Sequence, residues 1–291
     1  MSNGLALSVA GAVILGSYVV AVKRYFDHYP PTLFVGATYA VGVTWYLPIV
    51  LLTTPVAAVV PVVGPRGGIV LLGTAGFTAL ALFTFYRALT LGDVSYVAPI
   101  SKIVPVFVLP LEVVLLGQYL SVLQVAGVVV ATFAVYVANY RSGSLFAPVR
   151  RLVHSKAALL ALASAAAFGV VDIGKRVSMQ ELGIPPEGFV LTMLVLVPLL
   201  LSPAAVGNRH AVDWWGDRRK LAVAGLVLVV GQHVVAMAFE TLPASVVSPV
   251  VNTQAVVAVV LGSLLLGESR VRVRLTAAGL AVFGILLISL G

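Results

Sequence analysis

A chain of 291 residues that is 60% hydrophobic and only 10% charged cannot cover a surface facing water, because soluble domains carry about 25% charged residues. Lipid has to be its solvent. The net charge of +8 comes without a basic patch interleaved with aromatics, which argues against nucleic acid as a partner. The absence of cysteine excludes disulfides, thiolate metal centres and cysteine nucleophiles.

A spanning helix needs roughly 20 mostly apolar residues, and ten stretches meet that need: 3–25, 31–53, 67–90, 94–117, 120–140, 157–180, 186–206, 218–242, 244–266 and 270–290. The first has no basic segment before it and no small-residue cleavage site after it, so it reads as a retained helix rather than a signal. Pro30-Pro31, the Pro65–Gly68 run, Gly92-Asp93, Gly117-Gln118, Pro185-Pro186, the polar run 213–220 and the charged run 268–274 separate the spans. The polar linker from Arg141 to Lys156 divides five helices from five. The predicted architecture is therefore an all-α membrane protein. Residues 1–140 form one five-helix repeat, 141–156 a basic linker and 157–291 a second five-helix repeat.

The halves match in detail. Ala88, Ser95, Val97, Pro99, Val106, Leu115, Leu116 and Gly117 recur 150 residues later as Ala238, Ser245, Val247, Pro249, Val256, Leu265, Leu266 and Gly267. Pro30, Pro31, Phe34, Val35 and Pro48 recur 155 residues later as Pro185, Pro186, Phe189, Val190 and Pro203. Such duplication in an apolar chain is a mark of membrane transporters. An odd number of helices per half requires the two halves to insert in opposite orientations. The basic residues agree: Lys23, Arg24, Arg87, the linker's Arg141, Arg150, Arg151 and Lys156, and seven more in 209–220 and 270–274 follow odd-numbered spans. Arg66, Lys175 and Arg176 lie on the other side. The loops after odd-numbered spans are thus predicted to be cytoplasmic, in a multi-pass protein of the cell membrane.

Charged and polar groups at membrane depth are costly, about 2.5–3.5 kcal/mol for a charge, and usually face a cavity or a partner. Lys102, between Pro99 and Pro105, reads as a cavity cation suited to a carboxylate or phosphate, or as a stem snorkelling to the interface. The prolines lack N–H donors and loosen the helix around it. Glu112 reads as a coupling carboxylate or an interfacial one. Asp172 with Lys175 at i+3 and Arg176 at i+4 reads as an internal ion pair, or with Asp172 as a gate. Gln232 and His233 fall mid-span, as substrate or proton contacts or as helix–helix hydrogen bonds. Asn252, the repeat counterpart of Lys102, and Gln254 read as site residues near the axis relating the halves. Tyr18, Trp45, Tyr86 and Tyr96 are candidate aromatic walls, or interface markers. Gly11, Gly16, Gly73, Gly76, Gly225 and Gly231 are expected to permit close helix contact. His28, His154, His210 and His233 are too scattered for a metal cluster, and no nucleotide-binding or hydrolase motif occurs.

The run Tyr86-Arg87-Ala88-Leu89-Thr90-Leu91-Gly92-Asp93-Val94-Ser95-Tyr96-Val97-Ala98-Pro99-Ile100 and its weaker copy from Ala238 to Val250 resemble the junction of the third and fourth helices in the EamA-type drug/metabolite transporters. Leu266-Gly267-Glu268 keeps a Leu-Gly-Glu helix end similar to that family's, whereas Leu116-Gly117-Gln118 has lost the acid. The resemblance implies inverted repeats around a central cavity, movement of small solutes and no single substrate. The expected activity is secondary transport, by alternating access, of a small amino-acid-like or other anionic or zwitterionic solute, with export as the expected direction. Efflux of drugs or cationic compounds is the alternative, ahead of a non-transporting scaffold or a membrane enzyme or photoreceptor. No cofactor or metal is expected. The partners are the solute and the bilayer, a monomer suffices and a dimer is allowed.

Overall fold

The computed structural model describes residues 2–53, 64–91, 100–139, 155–205, 215–266 and 271–290. These form α1 (Ser2–Tyr25), α2 (Pro31–Thr53), α3 (Pro65–Leu91), α4 (Val104–Leu116), α5 (Val122–Asn139), α6 (Lys156–Arg176), α7 (Pro186–Ala205), α8 (Arg218–Thr241), α9 (Ala244–Asn252), α10 (Gln254–Leu266) and α11 (Val271–Leu290). A π-helical turn, Val177–Glu181, prolongs α6. No strand occurs among the described residues. Among the described residues seven stretches are long and apolar enough to cross a bilayer: Asn3–Tyr25, Pro31–Leu52, Pro65–Leu91, Lys156–Glu181, Pro186–Pro203, Arg218–Thr241 and Ala244–Gly262. Val104–Leu116, Val122–Val137 and Thr276–Ile288 are shorter apolar helices. The run 92–99, the linker segment 140–154 and the loops 206–214 and 267–270 lie outside the described residues, and with them Pro99, Tyr96, His154, His210 and Glu268.

Local chemistry sets the helix ends. Pro31, Pro65 and Pro186 start their helices, where a missing N–H costs nothing. The Ser155 hydroxyl accepts from Ala158 N at 3.4 Å to cap α6. Gly117 closes α4 with φ 63°, a left-handed conformation that a side chain would strain. Within the spans, Ser8, Thr74, Thr78 and Thr132 donate to the carbonyl four residues back at 2.7–2.8 Å, so their hydroxyls do not stand unsatisfied in an apolar interior.

The fourth and ninth expected spans are broken rather than continuous, and at the same repeat position. In the first, Ile103 N bonds Ile100 O and Val106 N bonds Ile103 O; in the second, Thr253 N bonds Val250 O and Val256 N bonds Thr253 O. Each tightened turn has its counterpart 150 residues away. Lys102 stands at the first break and Asn252 at the second.

The two halves interleave: α3 packs on α6, α1 on α8, and α2 on both α7 and α8. Gly4 meets Thr241 and Leu242 at one end of the α1–α8 pair, while Phe26 and Tyr29 cluster with Leu221 at the other. Residues near Tyr25, Lys156 and Asp217 thus form a linker end, and those near Arg176, Thr241 and Ala244 a far end. Added Cβ atoms at Gly11, Gly16, Gly225 and Gly231 would meet Val235, Gln254, Val41 and Leu15 within about 2.7 Å, so these glycines do set close helix contacts. Gly73 and Gly76 do not: nothing lies within 4 Å of either added Cβ. Their face of α3 is turned away from the other helices. At Gly127 and Gly284, which face each other, α5 and α11 approach backbone to backbone. Large apolar side chains on the outer surface, such as Leu52 and Val122 at 87% and 88% exposed, suit contact with acyl chains.

Candidate functional site

A cavity of about 440 Å³ lies between the helices, large enough for a small metabolite. Its lining residues come in pairs. Leu15, Tyr18, Val19 and Val22 of α1 pair with Phe168, Val171, Asp172 and Lys175 of α6, each 153 residues apart. Phe34, Val35, Thr38 and Tyr39 of α2 pair with Phe189, Val190, Met193 and Leu194 of α7 at 155. Thr78, Leu82, Phe85 and Tyr86 of α3 pair with Leu228, Gln232, Val235 and Ala236 of α8 at 150. Lys102 and Val104 pair with Asn252 and Gln254, also at 150. Among the described lining residues, only Val251 has a counterpart, Ser101, that does not border the space. The i, i+3, i+4, i+7 spacings follow from one face of each helix turning inward.

The chemistry of the two halves differs although their positions match. The first half contributes Tyr18, Thr38, Tyr39, Thr78 and Tyr86 beside Phe34 and Phe85, an aromatic wall with hydroxyls. Tyr18 stacks on Phe34 with ring centroids 6.4 Å apart. The second half contributes Asp172, Lys175, Gln232, Asn252 and Gln254. Asp172 and Lys175 form an ion pair, Nζ to Oδ1 at 3.0 Å, and the ammonium also sits 5.0 Å from the Phe239 ring centre. Lys102 makes no hydrogen bond or ion pair with a described residue, and it shares the cavity wall with Asp172. Asn252 donates to Ser248 O at 2.9 Å, which orients its amide at the helix break.

Of the residues singled out from the sequence, Tyr18, Lys102, Asp172, Gln232, Asn252 and Gln254 share this wall. His233 does not. One residue past Gln232 turns it about 100° around α8, and its Nδ1 meets the Tyr46 hydroxyl of α2 at 2.8 Å. Tyr86 borders the cavity, whereas Trp45 is 42% exposed and donates to Ala222 O. Glu112 lies away from the cavity, 1% exposed. Its Oε1 accepts from Arg176 at 2.8 Å and Ala244 N at 2.7 Å, and its Oε2 from Ser245 N at 2.6 Å. Thr38, Tyr39 and Thr78 are lining groups that sequence reasoning passed over. The matched Phe34-Val35 and Phe189-Val190 pairs pointed to that face of α2, since positions four residues on share it.

A second polar cluster ties the halves at the linker end. Tyr29 donates to Asp217 Oδ2 at 2.6 Å and Lys220 to Oδ1 at 2.6 Å, with His28 3.8 Å away. Hydrogen bonds from Lys220 first and Tyr29 second hold the Asp217 carboxyl below its ordinary range. A carboxyl whose native pKa is lowered contributes stability above the unfolded value, lost as pH falls through the native one. Asp217→Asn should therefore lower the thermal midpoint at neutral pH. The gap from wild type should shrink below about pH 4, as read by unfolding in detergent across pH.

The family comparison decides what this cavity belongs to. The model of the EamA-like transporter family matches residues 2–140 and again residues 155–290. The chain belongs to the EamA-like transporter family. It is thus a multi-pass membrane protein of a transporter family, built from two EamA segments. A solved crystal structure resembles this EamA chain with a TM-score of 0.80, covering 100% of this chain and 97% of that one at 15% identity. At that identity the likeness shows the fold alone. No curated protein matches the EamA chain.

Proposed function

We propose that this EamA protein is a secondary transporter that moves a small amino-acid-like, or otherwise anionic or zwitterionic, solute across the cytoplasmic membrane by alternating access, as an exporter. The observation that carries the reading is the paired lining of the cavity. A site whose walls come from matching positions of two oppositely inserted five-helix repeats sits on their pseudo-twofold axis, where exposure to either side costs the protein similar rearrangements. Ten spans in two such repeats, divided near residues 141–156, are the architecture this requires. Lys102, Asn252, Gln232 and Gln254 bind the solute, with Tyr18 closing over it, and Glu112 and Asp172 take part in gating or coupling.

The solute class follows from charge. Among the described residues Lys102 is the wall's cation without an anion in direct contact, and a carboxylate or phosphate is its natural complement. Asp172 is already engaged by Lys175, which favours a solute with a negative group over a pure cation. The aromatic wall of Tyr18, Tyr39, Phe85 and Tyr86 would suit a cationic drug through its ring faces, the alternative reading. Proteoliposomes preloaded with an amino-acid, nucleoside or sugar-phosphate mixture should show counterflow of one anionic or zwitterionic member. Counterflow confined to lipophilic cations would favour the alternative, and absence of flux for every solute would leave a scaffold.

A further inference from the structure

We propose that Glu112, Arg176 and the first turn of α9 form a one-sided latch that holds the far end of the cavity shut. The inference rests on the alternating-access reading and adds which contact governs one of its gates. Glu112 belongs to the first half of the chain; Arg176, Ala244 and Ser245 belong to the second. One carboxylate thus receives a guanidinium N–H and two backbone N–H groups from across the repeat boundary. The same guanidinium holds Gln180 at 3.0 Å. Gln180 in turn donates to Phe239 O at 2.7 Å and Leu242 O at 2.8 Å. Beneath this network Met179, Ile184, Phe239, Leu242 and Val247 are packed and buried. The α6 end, the π turn, the α8 end and the α9 start are therefore pinned to α4 by one side chain.

The carboxylate of this latch is not repeated in the second half. The repeat position of Glu112 is Gly262, which carries no side chain, and an added Cβ there would meet nothing within 4 Å. The two ends are thus fastened by different groups: Glu112 ties the far end, while Asp217 with Tyr29 ties the linker end. Opening the far end separates Glu112 from α9 and exposes three donors together. Opening the linker end leaves them paired. The latch therefore biases the resting protein towards a closed far end.

The absence of native cysteine makes the test direct. Val190, on the far-end half of α7, borders the cavity and is 3% exposed; Val22, towards the linker end of α1, borders it from the other side. Val190→Cys and Val22→Cys proteins, each in the full chain, are labelled with a membrane-impermeant maleimide with and without Glu112→Gln. The expected result is a rise of about tenfold in the labelling rate at position 190, the scale of one lost charged hydrogen bond, with a fall at position 22. An unchanged rate at 190 overturns the latch. So does an equal rise at both positions, which would mean general loosening. If Glu112→Gln does not fold, Arg176→Lys is read in the same way, with a smaller rise expected because lysine lacks the planar fork. The labelling needs no solute, so failure of the latch and failure of transport give separate results.

Discussion

Lys102→Ala is expected to lower counterflow of the anionic or zwitterionic solute by about 10- to 100-fold, the worth of roughly 1.5–3 kcal/mol for a hydrogen bond to a charged group. The reasoning begins at the helix break. A lysine inside a continuous apolar helix would have to snorkel. At the turn between Ile100 and Val104 it instead borders the cavity. No described residue pairs with its ammonium, and Asp172 is already held by Lys175 at 3.0 Å. Removing the cation therefore strands no buried partner. The thermal midpoint should stay near that of wild type or rise, since a costly charge leaves the membrane interior. Lys102→Arg should retain part of the flux by keeping the charge in a different shape. Wild-type counterflow by Lys102→Ala would remove Lys102 from the site.

Gly127→Val should have the largest effect on folding. A Cβ at Gly127 would lie 2.7 Å from Gly284 O and from the backbone N of Ile288. Neither backbone atom can move without parting α5 from α11. Overpacking of this kind costs about 3 kcal/mol, and in a membrane there is little hydrophobic force between helices to offset it, because packing itself drives their association. Gly73→Ala supplies the contrast. With nothing within 4 Å of its added Cβ, it should be neutral or stabilise by up to about 1 kcal/mol through helix propensity. Thermal unfolding followed by size exclusion in detergent reads both. Among the described residues neither α5 nor α11 lines the cavity, so Gly127→Val protein that does fold should bind the solute with unchanged affinity. Normal stability of Gly127→Val would show that the two helices do not pack as described.

The amino-acid pattern reaches far into this molecule because lipid imposes a simple rule: long apolar runs must be helical to satisfy their own backbone. Helix edges at Pro31 and Pro186, the ion pair of Asp172 with Lys175, and the relation between Lys102 and Asn252 were legible for that reason. Each depends on local spacing or on duplication, and both are written along the chain. Two expectations needed correction. The glycines at 73 and 76 carry the same composition as those at 11 and 231, and sequence does not say which face of a helix meets a neighbour. The ninth span reads as unbroken, because apolar residues continue through its tightened turn; in the fourth, the prolines around Lys102 already signal a loosened helix.

What the sequence determined by itself was the class: a duplicated helical membrane chain with its polar groups set at matching depths. Only the tertiary structure decided which of those groups meet. Glu112 and Arg176 are 64 residues apart, and no local periodicity links a carboxylate on one helix to the start of another in the opposite half. Gln232 and His233 are neighbours in the chain, yet a 100° step per residue sends one to the cavity and the other to Tyr46. Pairing across interleaved helices depends on rotation and close approach, and a membrane chain encodes these in the shapes of small residues at contact rather than in the period of its apolar ones.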